Sequence, residues 1–103
     1  MRLALLLSGS VTWPLTLART WLQDGDDVTV VLLDRAAAAA RVGHHDGAAV
    51  AALVEAGAAV LAEQTALQRR GITADDAAAG VKPVDLDVVA DLIADGADRV
   101  IWL

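Results

Sequence analysis

The stretch Val60-Leu61-Ala62-Glu63-Gln64-Thr65-Ala66-Leu67-Gln68-Arg69-Arg70-Gly71-Ile72 decides how the rest of the chain is read. It begins apolar and runs into a polar segment closed by glycine. The pattern predicts a buried strand over Ala58 to Ala62, a short helix over Gln64 to Arg70, and a stop at Gly71. In an open parallel sheet, ligands and reacting groups sit in the crevice beyond the C-terminal strand ends. Glu63 is the first residue past this strand, so a carboxylate occupies the position best suited to chemistry.

Working outward, the same alternation recurs. Arg2 to Leu7 is a continuous apolar run, as expected of a parallel strand buried on both faces. Ser8-Gly9-Ser10 is a turn, and Thr12 or Trp13 enters a helix that tolerates Pro14 in its first turn. Leu15, Ala18, Trp21 and Leu22 give that helix one apolar face, and Gly25 ends it. Val28 to Leu33 is a second strand. Ala36 to Val42 reads as a helical turn or a mobile lid, weakly held because it carries no stripe of large apolar side chains. Gly43 to Gly47 is a polar loop. Ala48 to Ala56 is a helix with Val50, Leu53 and Val54 inward, closed by Gly57.

Downstream, Thr73 and Asp76 resemble a capping box that starts one or two turns ending at Gly80. Val81 to Val84 is a short fourth strand. Pro83 removes a ladder donor, which makes this strand irregular or places it near an edge. Asp85 is a good N-cap for a helix through Leu86, Val89, Ala90 and Ile93, stopped at Gly96. Arg99 to Leu103 is the last strand. Strands alternating with helices imply right-handed crossovers, hence a three-layer α/β fold: a parallel sheet of about five strands, covered on both faces, in a single domain over 1–103.

Composition narrows the function. The 103 residues include three tryptophans and no phenylalanine or tyrosine, so the core must be built from Val, Leu, Ile and Ala. A core this thin makes homo-oligomer formation an expected further source of apolar burial. The net charge of −6 disfavours nucleic acid, whose phosphates need clustered Lys and Arg. With no cysteine there is no disulfide, thiolate zinc site or thiol nucleophile. No apolar run approaches a membrane span. The run Leu3 to Leu7 stops at Ser8, too soon for a signal-peptide core, so a cytoplasmic location is the simplest expectation.

Four segments, in order, carry a family resemblance. They are L-A-L-L-L-S-G-S (3–10), W-L-Q-D-G-D-D-V-T-V-V-L-L (21–33), L-V-E-A-G-A-A-V-L-A-E-Q-T-A-L-Q-R-R-G-I (53–72), and Gly80-Val81 with the terminal Ala97-Asp98-Arg99-Val100. Together they resemble the DsrE/DsrF/DsrH family, which includes the TusB, TusC and TusD sulfur-relay proteins. The resemblance implies a compact flavodoxin-like sheet of strand order 2-1-3-4-5, assembled into small oligomers. No cofactor is expected. In the family's catalytic members, a cysteine just after the third strand accepts and hands on persulfide sulfur. Counting back from Arg69-Arg70-Gly71, that place falls at or near Glu63, and a glutamate cannot form a persulfide. The DsrH and TusB type also lacks that cysteine, and some members end near a tryptophan, as Trp102 does here. The resemblance therefore implies an accessory role with a sulfur-relay protein partner.

Several side chains merit a chemical reading. Glu63 is either a base or ligand acceptor at the crevice mouth, or an exposed first-turn acid favoured by the helix dipole. Ser8, Gly9, Ser10 and Thr12 form a strand-to-helix loop able to cradle an anion, or an ordinary capped turn. The loop matches neither a Walker motif nor G-x-G-x-x-G. His44-His45-Asp46 offers three potential metal ligands, but adjacent histidines on a glycine-flanked loop are ordinarily solvated, so no metal is expected. The loop itself is expected over the crevice. Arg69 and Arg70 suit the last helical turn or pairing with nearby acids. Trp13 is placed to line a pocket, whereas Trp21 and Trp102 look like core or interface aromatics. A response-regulator receiver is rejected, because Ser8-Gly9 and Glu63 replace its acidic pair and phosphoacceptor. Two function classes emerge: a cysteine-free homo-oligomeric accessory protein, or a small-molecule or anion-binding module using Ser8, Gly9, Ser10, Thr12 and Glu63. An enzyme with Glu63 as base is a third and weaker reading, as no nucleophile or second acid adjoins it.

Overall fold

A computed structural model describes residues 1–103. Five strands, β1 (Arg2–Leu7), β2 (Asp27–Leu32), β3 (Ala59–Glu63), β4 (Val81–Val84) and β5 (Arg99–Trp102), form one parallel sheet. The helices are α1 (Thr12–Gln23), α2 (Gly47–Glu55), α3 (Gln64–Arg69) and α4 (Leu86–Asp91), the last continued by a wider π turn over Leu92–Gly96. The parallel α/β architecture is as the alternation predicts. Pro83 lies in β4, an edge strand, where its missing donor costs no ladder bond on the open side.

The strand order differs from the expected one. It is β4-β3-β2-β1-β5, not 2-1-3-4-5. Three successive crossovers step in the same direction, and right-handed crossovers stepping the same way lie on the same face of the sheet. That face is accordingly thick. Leu5, Leu7, Val30, Leu32 and Val60 pack there with Leu15 and Ala18 of α1, Val50 and Leu53 of α2, and Ala66 and Leu67 of α3. Only the return from β4 to β5 crosses the other face. There α4 contributes Val89 over Leu6 and Val31, with Leu33, Leu61, Val84 and Leu92 partly buried around them. Both faces are covered as expected, but the second only thinly. Leu86, Val88, Ile93, Val100, Trp102 and Leu103 remain exposed.

The alanine-rich segment also differs from expectation. Asp34–Ala40 is a 3-10 helix, and Ala36, Ala37, Ala39 and Ala40 are all buried in the main core. With three residues per turn, 36 aligns with 39 and 37 with 40. Their small methyls let the backbone lie close over the strand ends. The Ala78 N–H donates to Ala40 C=O and the Val42 N–H to Asp76 C=O, which ties the segment to the 76–78 loop. Thr73 and Asp76 are joined side chain to side chain at 3.0 Å, heading a single 3-10 turn over Ala74–Asp76.

Candidate functional site

The observed order moves the switch point of the sheet. After β3 the chain turns to the thick face through α3, and after the neighbouring β4 it turns to the thin face through α4. Adjacent strands whose connections part in this way open a crevice at their C-terminal ends. Glu63 is the last residue of β3 and is paired in register with Val84 of β4. The carboxylate is therefore at the mouth of the crevice by topology as well as by sequence.

Glu63 is buried, not an exposed first-turn acid. It is the N-cap of α3: its backbone is extended, and its Oε2 accepts the Ala66 N–H at 2.5 Å. This satisfies one of the orphan donors of a six-residue helix that has few bonds of its own. Glu63 also lines a cavity of about 320 Å³ with Leu33, Asp34, Thr65, Ala66, Arg69, Arg70, Leu86 and Trp102. Opposite charges are already paired on its rim. Arg70 Nη2 lies 3.5 Å from Asp34 Oδ1, and its Nη1 donates to Ala66 C=O at 3.1 Å. Asp34 adopts φ +49, a left-handed conformation that Asp tolerates better than most residues. Trp102 is 65% exposed, so one wall of this cavity is a free indole.

The loop after β1 serves a second cavity, of about 270 Å³. Gly9, Ser10 and Val11 line it with Arg35, Ala36, Ala38, Ala39, His44, His45 and Asp46. The five candidate ligand residues are thus not brought together, because β2 lies between β1 and β3. Gly9 and Ser10 face this second cavity and Glu63 the first. Ser8 lines neither, and its N–H donates to Leu103 C=O at 3.1 Å, fastening the end of the chain. Thr12 gives its hydroxyl to both oxygens of Asp46, each at 3.1 Å. Trp13 is exposed and lines no cavity. A third hollow, of about 500 Å³, lies along α3 and Pro83.

Sequence reasoning missed the roles of Asp34, Arg35 and Trp102 as cavity walls. Nothing local marks them, since they are gathered from the segment that follows β2 and from β5. The signal for Asp46 was present in the glycine-bracketed His44-His45-Asp46 run, but its link to Thr12 spans 34 residues.

Comparison with known proteins adds to this geometry. No curated protein matches the chain. Among solved structures, a protein of unknown function, MTH1491, from Methanobacterium thermoautotrophicum superposes with a TM-score of 0.87 at 18% identity, covering 99% of this chain and 98% of the other. The ychN protein from E. coli superposes at 0.86 and 20% identity, covering 100% of both chains. BT1422 from Bacteroides thetaiotaomicron, also of unknown function, gives 0.84 at 10% identity, with 99% and 94% covered. At these identities the likeness is one of fold. The DsrE/DsrF-like family description matches residues 8–103, nearly the whole chain, and the chain belongs to that family.

Proposed function

We propose that this chain is an accessory or binding member of the sulfur-relay superfamily, working as a homo-oligomer without persulfide transfer of its own. The reading rests on one observation. The end of β3, where the catalytic proteins it resembles carry a relay cysteine, holds a buried carboxylate committed to capping α3. A carboxylate has no sulfur to accept or donate, and the chain has no cysteine elsewhere. What the crevice offers instead is a wall of exposed apolar groups, Trp102 and Leu86, continuous in sequence with Val100 and Leu103 on the thin face. Such groups favour protein contact over catalysis. They support both self-association and docking of a cysteine-bearing relative beside Glu63. No helix is long and apolar enough to cross a membrane.

The test is to mix the purified chain with a sulfane-sulfur donor, then with a cysteine-bearing DsrE-family protein. Intact mass should show no sulfur gained by this chain, and light scattering should show a complex with the relative. A sulfur adduct on this chain that passes to an acceptor would overturn the reading.

A second reading, an anion or small-molecule binding module, is favoured by the cavity where Gly9, Ser10 and Arg35 meet. Glu63 has no part in that version, because it faces the other cavity.

A further inference from the structure

We propose that His44, His45 and Asp46 form a binding site for a divalent cation of the zinc, cobalt or nickel class, open to the cavity behind the β1 loop. The site stands apart from Glu63 and does not depend on the sulfur-relay reading. The two histidines are the only ones in a chain without cysteine, so every imidazole able to favour such a metal lies at this point and no thiolate competes elsewhere. One ligand atom from each of the three residues falls within 4.8 Å of the other two. His45 Nε2 is 3.1 Å from Asp46 Oδ2, and His44 Nδ1 is 4.0 Å from the same oxygen. A tetrahedral ion with bonds of about 2.0–2.2 Å spaces its ligands about 3.3–3.6 Å apart, between these two separations, so modest side-chain rotation would seat it. The His45 side chain is 77% exposed and free to swing inward.

Asp46 is the most informative of the three. It stands at the N-cap of α2, a position where aspartate ordinarily accepts a hydrogen bond from the first helical turn. Glu63 and Asp85 do so at their own helices. The Asp46 side chain makes no such bond. It is turned instead toward Thr12 and His45, with only 9% of the side chain exposed. The Thr12 hydroxyl fixes both carboxylate oxygens, as an outer-shell partner fixes a metal ligand. His44 Nδ1 now accepts the Asp46 N–H at 3.1 Å, so its lone pair already points into the loop. A cation would displace the Asp46 N–H from that lone pair and neutralise the Asp46 charge together. Three protein ligands leave coordination positions open toward the cavity, as in zinc sites that bind water or substrate. Arg35 on the cavity wall suits an anion held at such a position.

The test uses the untagged full chain and imidazole NMR, which contains two ring systems only. Zinc added in steps should move both, with saturation at one equivalent, while magnesium at the same concentration moves neither. His44→Ala and His45→Ala should each weaken binding by more than about tenfold, the scale at which even loss of an outer-shell partner is felt. Thr12→Val should weaken it while leaving both rings in place. Folding of each variant is checked by circular dichroism, so the outcome does not rest on Asp46, whose replacement in a buried site risks the fold. Unmoved rings at excess zinc, a response of the exposed His45 alone, or an equal response to magnesium would each overturn the proposal.

Discussion

Replacing Glu63 by alanine measures how far its carboxylate is structural. The Ala66 N–H that it caps is buried, and Ala66 itself is only 5% exposed. Losing an N-cap acceptor costs about 0.5–2 kcal/mol, and leaving a buried donor unpaired costs about 1–3 kcal/mol. These describe the same N–H and are not summed. The lost side-chain methylene adds about 0.8 kcal/mol, while release of a desolvated carboxylate works the other way. The expected net loss for Glu63→Ala is about 2 kcal/mol. In a domain of this size that lowers Tm by roughly 8–16 °C. Glu63→Gln keeps an oxygen in place for the N–H and loses only the charge–dipole part, which is about 0.3–1 kcal/mol at a helix end. Urea denaturation gives the free energies, with an unchanged slope as the check that only the native state has been altered. If Glu63→Ala unfolds at the wild-type midpoint, the carboxylate is not a cap and its burial needs a functional cause. If glutamine is as damaging as alanine, charge rather than hydrogen-bond acceptance is what the site requires.

Other expectations follow from the same geometry. Gly80 has φ +85, and a Cβ there would overlap the Val54 Cγ1 methyl of α2, so Gly80→Ala should cost at least about 1–3 kcal/mol in urea midpoints. Much of the steric part should return in a Val54→Ala background. The Arg2 N–H at 2.8 Å, and then the Arg2 guanidinium, hold the Asp98 carboxyl below its ordinary range. A carboxyl whose folded pKa is depressed adds stability above its unfolded pKa and loses it as pH falls through the folded value. Asp98→Asn should therefore flatten the acid limb of the stability–pH curve below about pH 4 and leave its neutral shape unchanged. If the chain self-associates through the thin face as proposed, Val100→Asp should reduce the mass seen by light scattering without lowering the monomer's helicity, because Val100 is exposed. If the β1 loop binds an oxyanion, thiosulfate or sulfate should raise Tm, and Arg35→Ala should abolish the rise.

Much of the architecture was legible in the sequence because it is written in local periodicity. Leu3 to Leu7 and Val28 to Leu32 are apolar at every position but Thr29, and only strands with both faces covered at their centres read so. Gly25, Gly57 and Gly71 mark helix ends through positive φ, a backbone preference that needs no tertiary context. Pro83 announced an edge because a missing donor is a local fact. The alanine segment was legible as helical but not as core. A methyl gives little hydrophobic signal until the neighbours that bury it are known.

The sequence by itself determined the elements, their order along the chain, their right-handed parallel packing, and the carboxylate at the end of β3. It could not determine which strands are neighbours. An apolar strand states that it is buried and leaves open what lies beside it, so 2-1-3-4-5 and 4-3-2-1-5 are written in the same alternation. Tertiary structure alone made that choice. With it came the lopsided sheet, the free indole of Trp102 beside Glu63, the separation of Glu63 from the Ser10 loop by β2, and the turning of Asp46 toward Thr12. Each of these depends on contacts between residues far apart in the chain, where side-chain pattern is silent and packing decides.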